Sequence, residues 1–172
     1  IIQQIYAPLN NNDRQHSLNS YINNTIRSRA HNVCHIIMGD FNSIIDLTLD
    51  KFTHDPSRYH RKPSELIQGL IDKEYIDLFR HCHSSAKEFT WHSAQDVNIK
   101  NRIDFIWIDS DHAALAFNSS IVDSNLITNS DHSITTSTLN TQYAIRNHRI
   151  TKRRLSSKTR KIYQYHKMTD KL

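Results

Sequence analysis

Residues 33 to 38, VCHIIM, are apolar at nearly every position rather than at every second one. A strand that alternates apolar and polar residues needs cover on one face; a strand apolar on both alternations needs cover on both. This segment therefore predicts a central strand in a sheet with packing layers above and below it. It runs into Gly39, one of only two glycines in the 172 residues (the other is Gly69), and then at once into Asp40, Phe41 and Asn42. A glycine at a strand end allows a sharp turn and a close approach. Asp40 and Asn42 are thus expected at the open end of a buried strand, near whatever binds there.

The flanking segments supply the layers. IIQQIYAP reads as a strand ended by Pro8, which cannot donate into a ladder. Asp13 can cap a helix running to about residue 29, with Leu18, Tyr21, Ile22 and Ile26 on one face. Residues 43 to 62 read as irregular, with Asp55-Pro56 and Lys62-Pro63 as breakers, and Ser64 caps a short helix carrying Leu66, Ile67, Leu70 and Ile71. YIDLFRHC is a further buried segment. EFTWHS and RIDFIWIDS look like two strands joined by a polar loop, and SSIVDSNLIT and SITTSTL like two more. Strand, helix, strand, helix and then several strands is the order of a layered α/β sheet protein.

Length and composition allow one domain with a real core. Charge divides it further: residues 139–172 hold 10 of the 22 Lys and Arg and 1 of the 17 Asp and Glu, a local balance of +9. The other 138 residues carry 12 basic against 16 acidic groups, a balance of −4. The expected organisation is a domain over 1–138 and a basic linker or tail over 139–172. The tail reads either as a solvated segment or as a phosphate-backbone contact with Tyr163 and Tyr165 available for stacking.

No run has the length of a membrane span, and the first residues lack the pattern of a signal peptide. Cys34 and Cys82 read as two reduced thiols of an intracellular, non-secreted protein, with no spacing typical of structural zinc. Of His81, Cys82 and His83, at most two could share one ion in an extended segment. The chain opens without Met in what reads as a strand already under way, so a partial reading frame is expected.

Four strand ends carry polar groups: Tyr6 after IIQQI, Asp40 and Asn42 after VCHIIMG, Asp104 within RIDFIW, and Asp131-His132 before SITTS. Each has an ordinary explanation. Asp40 and Asn42 suit a turn, Asp104 could pair with Arg102, and a single histidine is more often structural than catalytic. Together they make a toolkit for phosphodiester hydrolysis, which needs a nucleophilic water, a proton acceptor, charge stabilisation at the phosphoryl oxygens and help for the leaving oxygen.

The succession IYAP, GDFN, FTW, RIDFIW and SDH, over roughly residues 1 to 138, resembles the endonuclease/exonuclease/phosphatase superfamily, and most of all the apurinic-type endonuclease domain of non-LTR (LINE-like) retrotransposons. The resemblance implies a four-layered α/β sandwich of the deoxyribonuclease I-like type, with the first part of the fold upstream of Ile1, and Mg2+-dependent nicking of DNA, Mn2+ being an alternative ion. It implies that Tyr6 contacts the scissile phosphate, that Asp40 orients the attacking water or protonates the leaving group, and that Asn42 steadies the phosphoryl oxygens. Asp131 would help bind metal, and His132 would act at the phosphate or the water, oriented by Asp104. Asn10, Trp91 and Arg102 would serve the substrate, Arg102 standing behind the Asp104–His132 pair, with Gly39 and Ser130 supporting the site.

The family's metal-binding glutamate is not replaced here, because Glu65, Glu74 and Glu88 stand in unsuitable contexts. Weak or absent activity of this chain alone is therefore expected. The resemblance also implies a reverse transcriptase beyond the basic connector and a nuclear place of action. Two other readings stay open: a superfamily phosphatase acting on inositol phosphates or lipids, and a non-catalytic nucleic-acid-binding remnant of a mobile element.

Overall fold

A computed structural model of the chain describes residues 1–9, 33–54, 64–124 and 128–140. The helix expected from Asp13 to about residue 29, the Pro56 and Pro63 breakers and the basic segment from 141 onward lie outside the described residues.

The apolar run sits where its pattern requires. Strand β1 (Ile2–Tyr6) lies parallel to β2 (Ile36–Asp40), β2 is antiparallel to β7 (Asp104–Asp109), and β7 is antiparallel to β4 (Tyr75–Asp77), giving a four-stranded sheet β1-β2-β7-β4. On one face Ile37, Phe41, Phe105, Trp107 and Tyr75 meet Leu66, Ile67 and Leu70 of helix α1 (Glu65–Asp72). Ser64 caps α1 as expected, its hydroxyl accepting the Ile67 N–H at 3.4 Å.

On the opposite face Ile36, Met38, Ile76, Ile106 and Ile108 pack against Leu78 of the short helix α2 (Leu78–Cys82) and against Ala116 and Leu139. The last two belong to an antiparallel ribbon, β8 (Ala116–Val122) and β9 (Ile134–Leu139). Both alternations of β2 and β7 are therefore covered, and this two-sided burial supplies most of the stability such a sheet can have.

Three departures from expectation concern short elements. The segment read as irregular contains β3 (Lys51–Phe52), and the polar loop between FTW and RIDF contains β6 (Lys100–Asn101). β6 pairs with β3 and with β5 (Trp91–His92) in a separate three-stranded sheet, so β5 and β7 do not lie side by side. Two-residue strands carry no periodicity, and hydrogen bonding to neighbours alone defines them. Cys34 and Cys82 are free thiols. No helix among the described residues is long and apolar enough to cross a membrane.

Candidate active site

Register assembles the site. Tyr6 stands opposite Asp40 in the β1–β2 pair, and Asp40 opposite Asp104 in the β2–β7 pair. Directly paired residues project to the same face, so Tyr6, Asp40 and Asp104 form a row at one end of three adjacent strands. The row lies on the face that the β8–β9 ribbon covers, and the segment leading into β9 brings His132 to it. His132 Nδ1 is 2.9 Å from Asp104 Oδ2, with both side chains part-exposed. The expected Asp104–His132 pair is present.

A buried hydroxyl that the sequence reading passed over holds these two segments together. Thr90 is fully buried, and its Oγ1 accepts the N–H groups of Ile103 and Asp104, each at 3.0 Å. Its carbonyl accepts the Ser133 N–H at 2.7 Å, while His92 N–H donates to the Asp131 carbonyl at 2.9 Å. The 131–133 segment is thus laid against β5 almost as an added strand, with a bridge between Trp91 and His132. A threonine in FTW reads as an ordinary strand former, and no sequence signal sets it apart.

Asn42 has a φ of +46°, a conformation asparagine tolerates better than most residues. Its backbone N–H donates to Asp40 Oδ1 at 2.8 Å, and its Nδ2 donates to the Ala7 carbonyl at 2.6 Å. The asparagine ties the end of β1 to the end of β2 and keeps a second amide N–H. Ser130 Oγ accepts the His132 N–H at 3.1 Å.

Gly39 requires a correction. The chain does not turn there, since β2 continues through Asp40. Its φ is +139°, and a Cβ would stand 1.9 Å from the Ile5 carbonyl oxygen. Glycine is demanded by the close approach of β1, and only indirectly by the site.

Arg102 requires another. It is 1% exposed, with Nε and Nη2 on the two oxygens of Asp50 at 2.8 and 3.2 Å and Nη1 2.6 Å from Asp77 Oδ2, an ion pair without hydrogen-bond alignment. Arg80 Nη2 reaches the same Asp50 at 2.5 Å. So placed, Arg102 cannot touch a substrate; it is a core cation whose partners are Asp50 and Asp77 rather than Asp104.

Asp131 and Trp91 meet each other, Trp91 Nε1 donating to Asp131 Oδ2 at 2.9 Å. Asp131 is exposed, and Asn10 lies outside the described residues. Beside Trp91, burial pushes the His92 imidazole below its ordinary range, and Lys100 opposite adds to the effect.

At this end of the sheet, donor atoms of Asp40, Asp104 and His132 lie within 4.8 Å of one another. Two carboxylates directly opposite on neighbouring strands repel, and two carboxylates completed by water suit a hard divalent ion. Asp40 and Asp104 fit such an ion, and the Asp131 carboxylate accepts from Trp91 Nε1. None of Glu65, Glu74 and Glu88 joins them: all three are exposed, and the first two begin and follow α1 on the far side of the sheet.

The fold has relatives among solved structures. A 3'-5' exonuclease, NExo, from Neisseria meningitidis matches with a TM-score of 0.68 and 18% identity, over 80% of this chain and 60% of that one. An AP endonuclease from Archaeoglobus fulgidus matches with a TM-score of 0.69 and 14% identity, over 81% of this chain and 62% of that one. This is the deoxyribonuclease I-like fold. A further match is a Neisseria NExo structure described as a 3' phosphatase bound to a product DNA hairpin, with a TM-score of 0.59 and 20% identity over 74% of this chain and 53% of that one. The chain spans about 60% of the length of the first of these relatives. No family model and no curated protein matches the sequence.

Proposed function

We propose that the chain forms the strand-end catalytic centre of a divalent-metal-dependent DNA endonuclease, the nicking domain of a LINE-like retroelement whose parent polyprotein also carries a reverse transcriptase. The observation that carries this reading is the Asp104–His132 pair standing beside Asp40 at the end of β2 and β7. The motif order IYAP, GDFN, FTW, RIDFIW and SDH supports the retroelement parentage, and the fold shared with nucleases supports the chemistry.

Hydrolysis of a phosphodiester brings a water oxygen to phosphorus, takes a proton from that water and releases an alkoxide that must be stabilised or protonated. A divalent ion held by Asp40 and Asp104, Mg2+ by its hardness with Mn2+ as an alternative, would offset charge at the phosphoryl oxygens. Asp104 fixes the tautomer and plane of the His132 imidazole, so His132 is held where it can act at the phosphate or take the water proton. Asp40, steadied by the Asn42 N–H, orients the attacking water, and the leaving oxygen takes its proton from solvent or from the His132 that received the water proton. The spare Asn42 amide proton and the Tyr6 hydroxyl, 74% exposed at the end of β1, supply donors to the phosphate. Trp91 and Asp131 border the site where a flipped or stacked base would lie.

The test is nicking of supercoiled plasmid carrying abasic sites, with Mg2+ and with EDTA. Loss of nicking by Asp40→Asn and His132→Ala, by about 100-fold or more, supports the proposal; unchanged nicking by both rejects it. Phosphate release from 3'-phosphorylated DNA without nicking would move the assignment to the phosphatase branch. DNA binding with neither activity would leave the non-catalytic remnant, acting in the nucleus through its basic tail.

A further inference from the structure

The strands that end at the candidate active site carry a second polar cluster at their other end. Cys34 lies two residues before β2, Asp109 closes β7, and His112 belongs to the 3₁₀ turn (Ser110–Leu115) that follows. Asp109 is five residues along β7 from Asp104, about 16 Å at roughly 3.3 Å per residue, so the two clusters are separate. Donor atoms of Cys34, Asp109 and His112 all lie within 4.8 Å of one another.

The surroundings are those of a built site. Asp109 is 1% exposed and His112 9%. Asp109 Oδ1 is 2.5 Å from His112 Nδ1, and its Oδ2 accepts the His35 N–H at 2.7 Å. The backbone N–H of Asp109 donates to the His35 carbonyl at 3.2 Å, which locks the two strand ends together. Behind them the buried His35 imidazole lies between the Tyr75 hydroxyl and Gln3 Oε1. A buried carboxylate is costly unless a cation compensates it, and among the described residues the ion-pair partner of Asp109 is His112. Burial, reinforced by the Asp109 charge, raises the Cys34 thiol above its ordinary range, so Cys34 is not an activated nucleophile.

One thiol, one imidazole and one carboxylate, drawn from three places on the chain, form a donor set for a borderline-soft cation and a poor one for Mg2+ or Ca2+, which take oxygen ligands. Donors at about 2.0–2.3 Å from one tetrahedral ion stand farther apart than the 2.5 Å between Asp109 Oδ1 and His112 Nδ1, so binding of the ion replaces that hydrogen bond. We propose that Cys34, Asp109 and His112 bind Zn2+, with water in the fourth position, and that the ion fastens the start of β2 to the end of β7 and the turn after it.

Titration of the reduced 172-residue chain with Co2+ as the spectroscopic probe tests this. A thiolate-to-cobalt charge-transfer band saturating at one equivalent and displaced by Zn2+ is expected. It should disappear in C34S and H112Q, and persist in C82S and D40N. Alkylation by iodoacetamide needs no variant: Zn2+ should slow modification of Cys34 and leave that of Cys82 unchanged. No thiolate band, a band that survives C34S, a band lost with D40N, or equal alkylation of Cys34 with and without Zn2+ would each overturn the proposal.

Discussion

Asp104 sits on a strand whose next residues are Phe105, Ile106, Trp107 and Ile108, all buried, and it is the strand's last chance to meet water. Alternation places it on a largely apolar strand, and its pairing with His132 is what the family resemblance implies; that it opens the strand is seen only in the structure. Thr90 was not legible in the sequence, because its contribution lies in two backbone N–H groups that no pattern records. The charge network of Arg102 was misassigned for a related reason: Asp50 lies 52 positions upstream, and neighbours in sequence suggested Asp104 instead. The fully buried Thr90 hydroxyl makes a prediction. Thr90→Val keeps shape and strips the acceptor from both N–H groups, at a cost of about 1–3 kcal/mol. Nicking should fall together with the thermal midpoint, while Thr90→Ser should keep most of both. A valine variant with wild-type nicking and melting would show that Thr90 does not position Asp104.

At the scale of elements, long patterned segments were read well and short ones were not. The strands β1, β2, β7 and β9 and the Ser64-capped helix announce themselves by burial pattern and capping chemistry, whereas β8 begins at Ala116 and ends at Val122, upstream of most of the SSIVDSNLIT segment expected as a strand. β3 and β6, of two residues each, arise only from mutual pairing, while β5 is the two-residue part of the expected EFTWHS strand that pairs. Gly39 stands out in the sequence as a position for a sharp turn and a close approach of ligand, but what comes close is another piece of the chain. The piece it admits is β1, a neighbour invisible to local reading, and the backbone conformation it needs has a positive φ. Gly39→Ala should therefore destabilise the fold by about 3 kcal/mol or more, from strain and collision together. Urea unfolding measures it; an alanine variant of wild-type stability would show that β1 does not approach as described.

At the scale of the whole molecule, cover on both faces of the sheet was implied by a single run that is apolar on both alternations; that one cover is a helix and the other a ribbon was not. The zinc proposal shows the converse limit: its three ligands come from positions 34, 109 and 112, a spacing no local motif displays. The division of charge, −4 over the first 138 residues and +9 over the rest, belongs to this scale too. Removal of residues 141–172 should weaken binding to a DNA hairpin and flatten the fall of affinity with salt, since fewer counterions are released. Anisotropy titrations at several salt concentrations read this directly, and an unchanged slope would place the DNA contacts in the body of the domain.

The central claim is that Asp104 and His132 act as one unit on a phosphodiester. A double-mutant cycle measures it most directly, comparing nicking by the chain with that of Asp104→Asn, His132→Ala and the pair. If the two act together, the double variant loses about as much rate as His132→Ala alone. Losses that multiply, or no loss from either substitution, would contradict it.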